Sequence, residues 1–124
     1  MSDLWNVQQR LNQHLLQWNA VTVEFRRAVR RASEAKADYE HQAAVFKVKQ
    51  RAADPKASMM WLETLADADP DVHRLNVERL AAESEVAALD KRLQWSRAAA
   101  DAFRSEISSE RAQAVLFADD RSVP

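Results

Sequence analysis

Three observations predict an all-α fold, a long antiparallel helical hairpin of coiled-coil type with a short helix at its tip. The 124-residue chain has no Gly and only three Pro, so it lacks the residue that enters positive-φ hairpin turns without strain. It is rich in helix formers, with 23 Ala beside many Glu, Arg, Gln and Leu. Apolar residues also recur every seven positions, at Leu4, Leu11, Trp18, Phe25, Ala32, Tyr39 and Phe46. Val7, Leu15, Val21, Val29 and Ala43 fill neighbouring positions of the same seam.

The elements follow from the punctuation. No Pro or Gly interrupts the stretch from Asp3 to Ala53, which predicts one long helix over 3–53. Asp54-Pro55 and Asp69-Pro70 each set a capping residue before a Pro suited to the first helical position. They predict a short helix over 55–67, carrying the apolar cluster Met59, Met60, Trp61, Leu62 and Leu65, and a second long helix over 70–117. Val72, Leu75, Val86, Leu89, Leu93, Ala100, Phe103, Ile107, Ala114 and Phe117 give that helix a seam, interrupted by Arg79, Ser96 and Glu110. Residues 1–118 then form one domain and 119–124 a flexible tail. With the reversal near Trp61, residue i is expected to face about 123 − i.

A two-helix seam is narrow, and the first helix carries a wider apolar stripe than it needs, with Leu15 beside Leu16 and Val21 near Val23. The surplus predicts a homo-oligomer. Trp5, Trp61 and Trp95 are its candidate interface residues, with burial inside the hairpin as the competing role.

Composition excludes much chemistry. The absence of Cys and Gly removes disulfide frameworks, Cys-based metal or redox motifs and Gly-rich phosphate loops. His14, His41 and His73 are scattered and read as surface or seam-edge residues, and no nucleophile has a visible base. Asp67, Asp69, Asp71 and Glu78 imitate a calcium loop, but Val72 stands where Gly is required and Pro70 intrudes. Neither an enzyme nor a cofactor or metal site is expected. The first residues lack a basic and apolar leader pattern and no stretch suits a membrane span, so the expectation is a cytoplasmic protein without a membrane partner.

Charge is unevenly spread. Residues 1–57 hold 10 Lys and Arg against 6 Asp and Glu, whereas 58–124 hold 8 against 13. The bias peaks between Arg26 and Arg51, where Arg26, Arg27, Arg30, Arg31, Lys36, Lys47, Lys49 and Arg51 meet three acids, Glu34, Asp38 and Glu40. The i, i+1, i+4, i+5 spacing of the four arginines puts them on one helical face away from the seam, as a phosphate backbone requires, and Phe25, Tyr39 and Phe46 are interleaved aromatics. Salt bridges to the returning helix, at Asp90 and Asp101, are the competing use, and seam packing that of the aromatics.

The layout resembles phage recombination mediators of the UvsY type. Lys36-Ala37-Asp38-Tyr39 is similar to the family's basic segment ending in Asp-Tyr, although Glu34 stands where that segment has its first basic residue. Ser58-Met59-Met60, with Ala66-Asp67-Ala68-Asp69-Pro70-Asp71-Val72, resembles its Met-rich tip and the helix start beyond it. Ala100-Asp101-Ala102-Phe103-Arg104-Ser105 is similar to its Leu-Asp-Ala-Ile-Lys-Ser stretch. The resemblance implies a ring-like homo-oligomer in the host cytoplasm that binds single-stranded DNA, at Lys36 among other residues, helps displace a single-strand-binding protein and loads a RecA-like recombinase. The alternative reading is a coiled-coil scaffold or chaperone with no nucleic-acid role.

Overall fold

The computed structural model describes the backbone of residues 2–122 and the side chains of residues 3–118. Three helices account for nearly all of it: α1, Ser2–Ala53; α2, Met59–Ala68; and α3, Pro70–Ser122. No strand and no positive-φ residue occurs among the described residues. α3 thus runs past the expected end near Phe117, and of the expected tail, Val123 and Pro124 lie outside the described residues.

The two Asp-Pro pairs act differently. α1 closes with the Asp54 amide donating to the Gln50 carbonyl at 2.8 Å, and Pro55 cannot extend that ladder. The expected helix start at Pro55 is not found. The Ala57 amide donates to the Asp54 carbonyl at 3.2 Å and the Lys56 amide to Asp54 Oδ1 at 3.3 Å, so Asp54-Pro55 opens a turn and its carboxylate is used there. Capping passes to Ser58, whose Oγ accepts from the Trp61 amide at 3.1 Å, and α2 begins at Met59. Arg51 ties this turn to α1 by donating to the carbonyls of Pro55 at 3.3 Å and Ala57 at 2.8 Å. Asp69 then serves two helices: its amide donates to the Ala66 carbonyl at 3.1 Å, ending α2, while Oδ2 accepts from the Val72 amide at 3.1 Å, starting α3 with Pro70 in its first turn.

The chain divides into two compact units, one of residues 1–24 with 89–124 and one of residues 25–88. In the second, α2 buries Leu62 and Ala66, which join Ala43, Ala57 and Val72 as buried core. Further along this unit the contact is made by Ala28, which is wholly buried, and by the half-buried Phe25, Ala32, Tyr39, Leu75, Ala82 and Val86. Arg79, a polar interruption of the α3 seam, lays its guanidinium over the Tyr39 ring at 5.0 Å and bonds Asn76 and Glu83.

In the first unit the deepest row is Val7, His14 and Val21 against Leu89, Ser96, Ala100 and Ile107. The aromatic and leucine row Leu4, Leu11 and Trp18 is only half-buried. His14, expected at the surface or seam edge, is a core residue. Its Nε2 lies 2.8 Å from the Ser96 carbonyl, and its ring meets those of Trp95 and Phe103 at centroid distances of 5.8 and 5.6 Å. Donation to that carbonyl satisfies the buried imidazole edge, and the small Ser96 side chain leaves room for the ring.

Ion pairs report the antiparallel register within each unit. Arg10 meets Glu106 at 3.2 Å and Glu24 meets Arg92 at 3.8 Å in the first; Arg31 meets Glu85 at 2.7 Å in the second. In all three pairs residue i faces 116 − i, one seven-residue repeat away from the expected 123 − i. With Leu4 and Val72 both taken as position a of the repeat, all six partners sit at position g, the flank of the seam where interhelical charges set register. The expected register would replace these pairs by Arg10 against Gln113, Glu24 against Ala99 and Arg31 against Arg92. It also fails at Asp90 and Asp101, which bond Gln94 and Arg104 of their own helix instead of the arginine cluster.

Candidate nucleic-acid interface

Within the second unit, Arg26, Arg27 and Arg30 occupy the b, c and f positions of α1, the side turned away from the a/d seam, and all three are exposed. Arg31, at g, is also exposed but is drawn towards α3 by Glu85. Arg30 has an exposed in-helix neighbour, Glu34, at 3.7 Å, and Arg26 and Arg27 form no ion pair among the described residues. Such exposed pairs contribute at most about 1 kcal/mol each, so hairpin stability does not account for the cluster.

The rest of the basic set does not join one face. Lys47 shares the b position with Arg26 but is half-buried, whereas Lys49 falls at d and is exposed. Lys36, at e, lies 4.0 Å from Glu40 and lines a shallow hollow with Val29, Ala32, Ser33, Glu83 and Val86. Arg51 is committed to the 54–57 turn through the carbonyls it holds. The interleaved aromatics Phe25, Tyr39 and Phe46 are half-buried, and the Tyr39 face is covered by Arg79. What remains is a compact arginine patch, Arg26, Arg27 and Arg30, which can offer planar, forked donors to phosphate oxygens.

The three candidate interface tryptophans are each more than half exposed, at 61% for Trp5, 52% for Trp61 and 68% for Trp95. Their surroundings differ in charge. Trp5 lies in a hollow with Asp3, Glu106 and Glu110, whose one cation, Arg10, is held by Glu106. Trp61 sits on α2, a helix that contains no basic residue, between the exposed Met60 and Glu63. Trp95 borders an open groove of about 260 Å³ in the first unit, lined also by His14, Gln17, Val21, Lys91, Arg92 and Ser96. Spacing along either helix alone could not find this groove, because the cross-hairpin register assembles it.

Large apolar side chains stand out of α3 as well. Val77 and Leu80 are about half exposed in the second unit, and Val115, Leu116 and Phe117 are 60–66% exposed in the first. Among the described residues no three His, Asp or Glu side chains converge in a metal-binding group, and no helix is long and apolar enough to cross a membrane. No family model, no curated protein and no solved structure matches the chain.

Proposed function

We propose that this chain is a non-enzymatic, self-associating protein that binds the backbone of single-stranded DNA through the outer face of α1. The observation that carries the reading is the patch Arg26, Arg27 and Arg30, exposed on the side of α1 turned from its partner helix, two of its three members without an ion pair among the described residues. A single subunit offers few phosphate contacts, and repetition in an oligomer raises their combined strength by effective concentration. The exposed Val115, Leu116 and Phe117 supply apolar surface for such assembly. The resemblance to UvsY-type mediators extends the reading to assisting a RecA-like recombinase against a single-strand-binding protein.

The test is fluorescence anisotropy of a labelled single strand of about 25 nucleotides, long enough for several subunits. Three arginine–phosphate contacts predict a salt slope near −2 per subunit, so affinity falls about 15- to 20-fold between 50 and 200 mM salt. The triple variant R26A/R27A/R30A, which leaves the Arg31–Glu85 bridge in place, should reduce the salt slope by about 2 while keeping its helices. A folded wild-type protein that ignores the strand at low salt overturns the proposal. The scaffold or chaperone reading, favoured by the same exposed apolar residues, then takes its place.

A further inference from the structure

We infer that Trp95 is a stacking platform for a base of single-stranded nucleic acid, with Lys91 and Arg92 holding the adjoining phosphate. The inference rests on the function proposed above and adds to it a base-binding site in the other unit. Strand-binding surfaces join cations to exposed aromatic faces, and the aromatics interleaved with the arginines are not available for this. Phe25, Tyr39 and Phe46 are half-buried, whereas Trp95 is 68% exposed. The ring is nevertheless held. The buried His14 packs against it edge-on, with an interplanar angle of 72°, and His14 is itself fixed by the Ser96 carbonyl at 2.8 Å. The contact with His14 restrains the ring while the residue stays 68% exposed, so less side-chain entropy remains to be lost when a base stacks.

Charge selects Trp95 over Trp5, and Trp61 stands on a helix with no basic residue of its own. Its groove is lined by two cations and no carboxylate, while that at Trp5 contains three carboxylates that repel phosphate. Lys91 has no ion pair among the described residues. Arg92 has only the loose 3.8 Å contact with Glu24, which a phosphate accepting two guanidinium N–H bonds can displace. Gln17, opposite on α1, adds amide donor and acceptor groups within reach of a base edge.

The experiment titrates the full chain, wild type, W95A and W95F, with oligo(dT) of about 25 nucleotides and with an abasic strand of the same length, far-UV circular dichroism verifying the fold. Wild type should prefer oligo(dT) to the abasic strand. W95A should weaken oligo(dT) binding at least about fivefold and leave the abasic strand unchanged, and W95F should retain most of the affinity. Lys91→Gln should reduce the salt slope by about 0.7. Equal affinity of wild type for the two strands, or undiminished oligo(dT) binding by W95A, overturns the stacking site and leaves the arginine patch standing. Loss of self-association by W95A with DNA affinity intact likewise overturns it and makes Trp95 a subunit contact. Wild type binding neither strand removes both readings, and should W95A fail to fold, the abasic comparison and W95F still decide.

Discussion

Replacing His14 tests whether a polar side chain is a structural member of the seam. His14 is 7% exposed, donates to the Ser96 carbonyl at 2.8 Å and packs on Trp95 and Phe103. His14→Ala removes a hydrogen bond worth about 1 kcal/mol and aromatic packing worth about 1–2 kcal/mol, so the loss should be about 2–3 kcal/mol. For a chain of this length that is a fall in Tm of about 10 °C, read by circular dichroism at fixed protein concentration because self-association would shift it. His14→Leu should behave differently. It fills the same space with an apolar side chain, and the Ser96 carbonyl keeps its acceptor role inside α3, so stability should match or exceed wild type. What Leu cannot supply is a bond that exists in one register only. Because the chain has no cysteine, R10C/E106C and R10C/Q113C joined by a short bis-maleimide report the observed and the slipped register. The second cross-link should appear only with Leu at 14. A His14→Ala variant within about 0.5 kcal/mol of wild type would refute the packing described for this residue.

Three further outcomes follow from the caps and the exposed end of α3. Ser58→Ala, which loses the α2 cap, should cost about 1 kcal/mol, and Asp69→Ala, which loses the α3 cap, about 1–2 kcal/mol, both read by denaturant titration. Replacing Leu116 and Phe117 together by Ser should lower the sedimentation-derived oligomer mass while leaving helicity unchanged, since both side chains are about two-thirds exposed and contribute little within the chain.

The all-helical class and the breaks after Ala53 and before Pro70 were legible from residue types, because Gly-free, Pro-punctuated sequence leaves few other options. Depth within the seam was not. The eye takes the large residues Leu4, Leu11 and Trp18 as the core, yet close approach of two helices favours the smaller Val7, Val21 and Ala28 at the deepest positions, and His14 is admitted only because Ser96 opposes it. Register was readable in principle, since matching charges at position g separates Arg31 opposite Glu85 from Arg31 opposite Arg92. Counting back from an assumed tip at Trp61 missed it because Asp54-Pro55 makes a turn rather than a helix start. The exposure of Arg26, Arg27 and Arg30 followed from spacing alone, whereas the Trp95 groove did not, because Gln17 and His14 reach it from α1.

The three g-position ion pairs also limit how this sequence can change in length over evolution. One residue inserted inside α1 or α3 turns everything beyond it by about 100° and takes seam side chains out of the contact. Seven inserted residues would restore the facing rows but, in the second unit, could bring Arg31 to a non-acidic partner in place of Glu85. The long helices are therefore closed to small insertions and poorly served by whole repeats. Homologous chains should differ in length chiefly between Asp54 and Asp69, where a turn and a ten-residue helix, each with its own side-chain cap, can absorb added residues before the register is read.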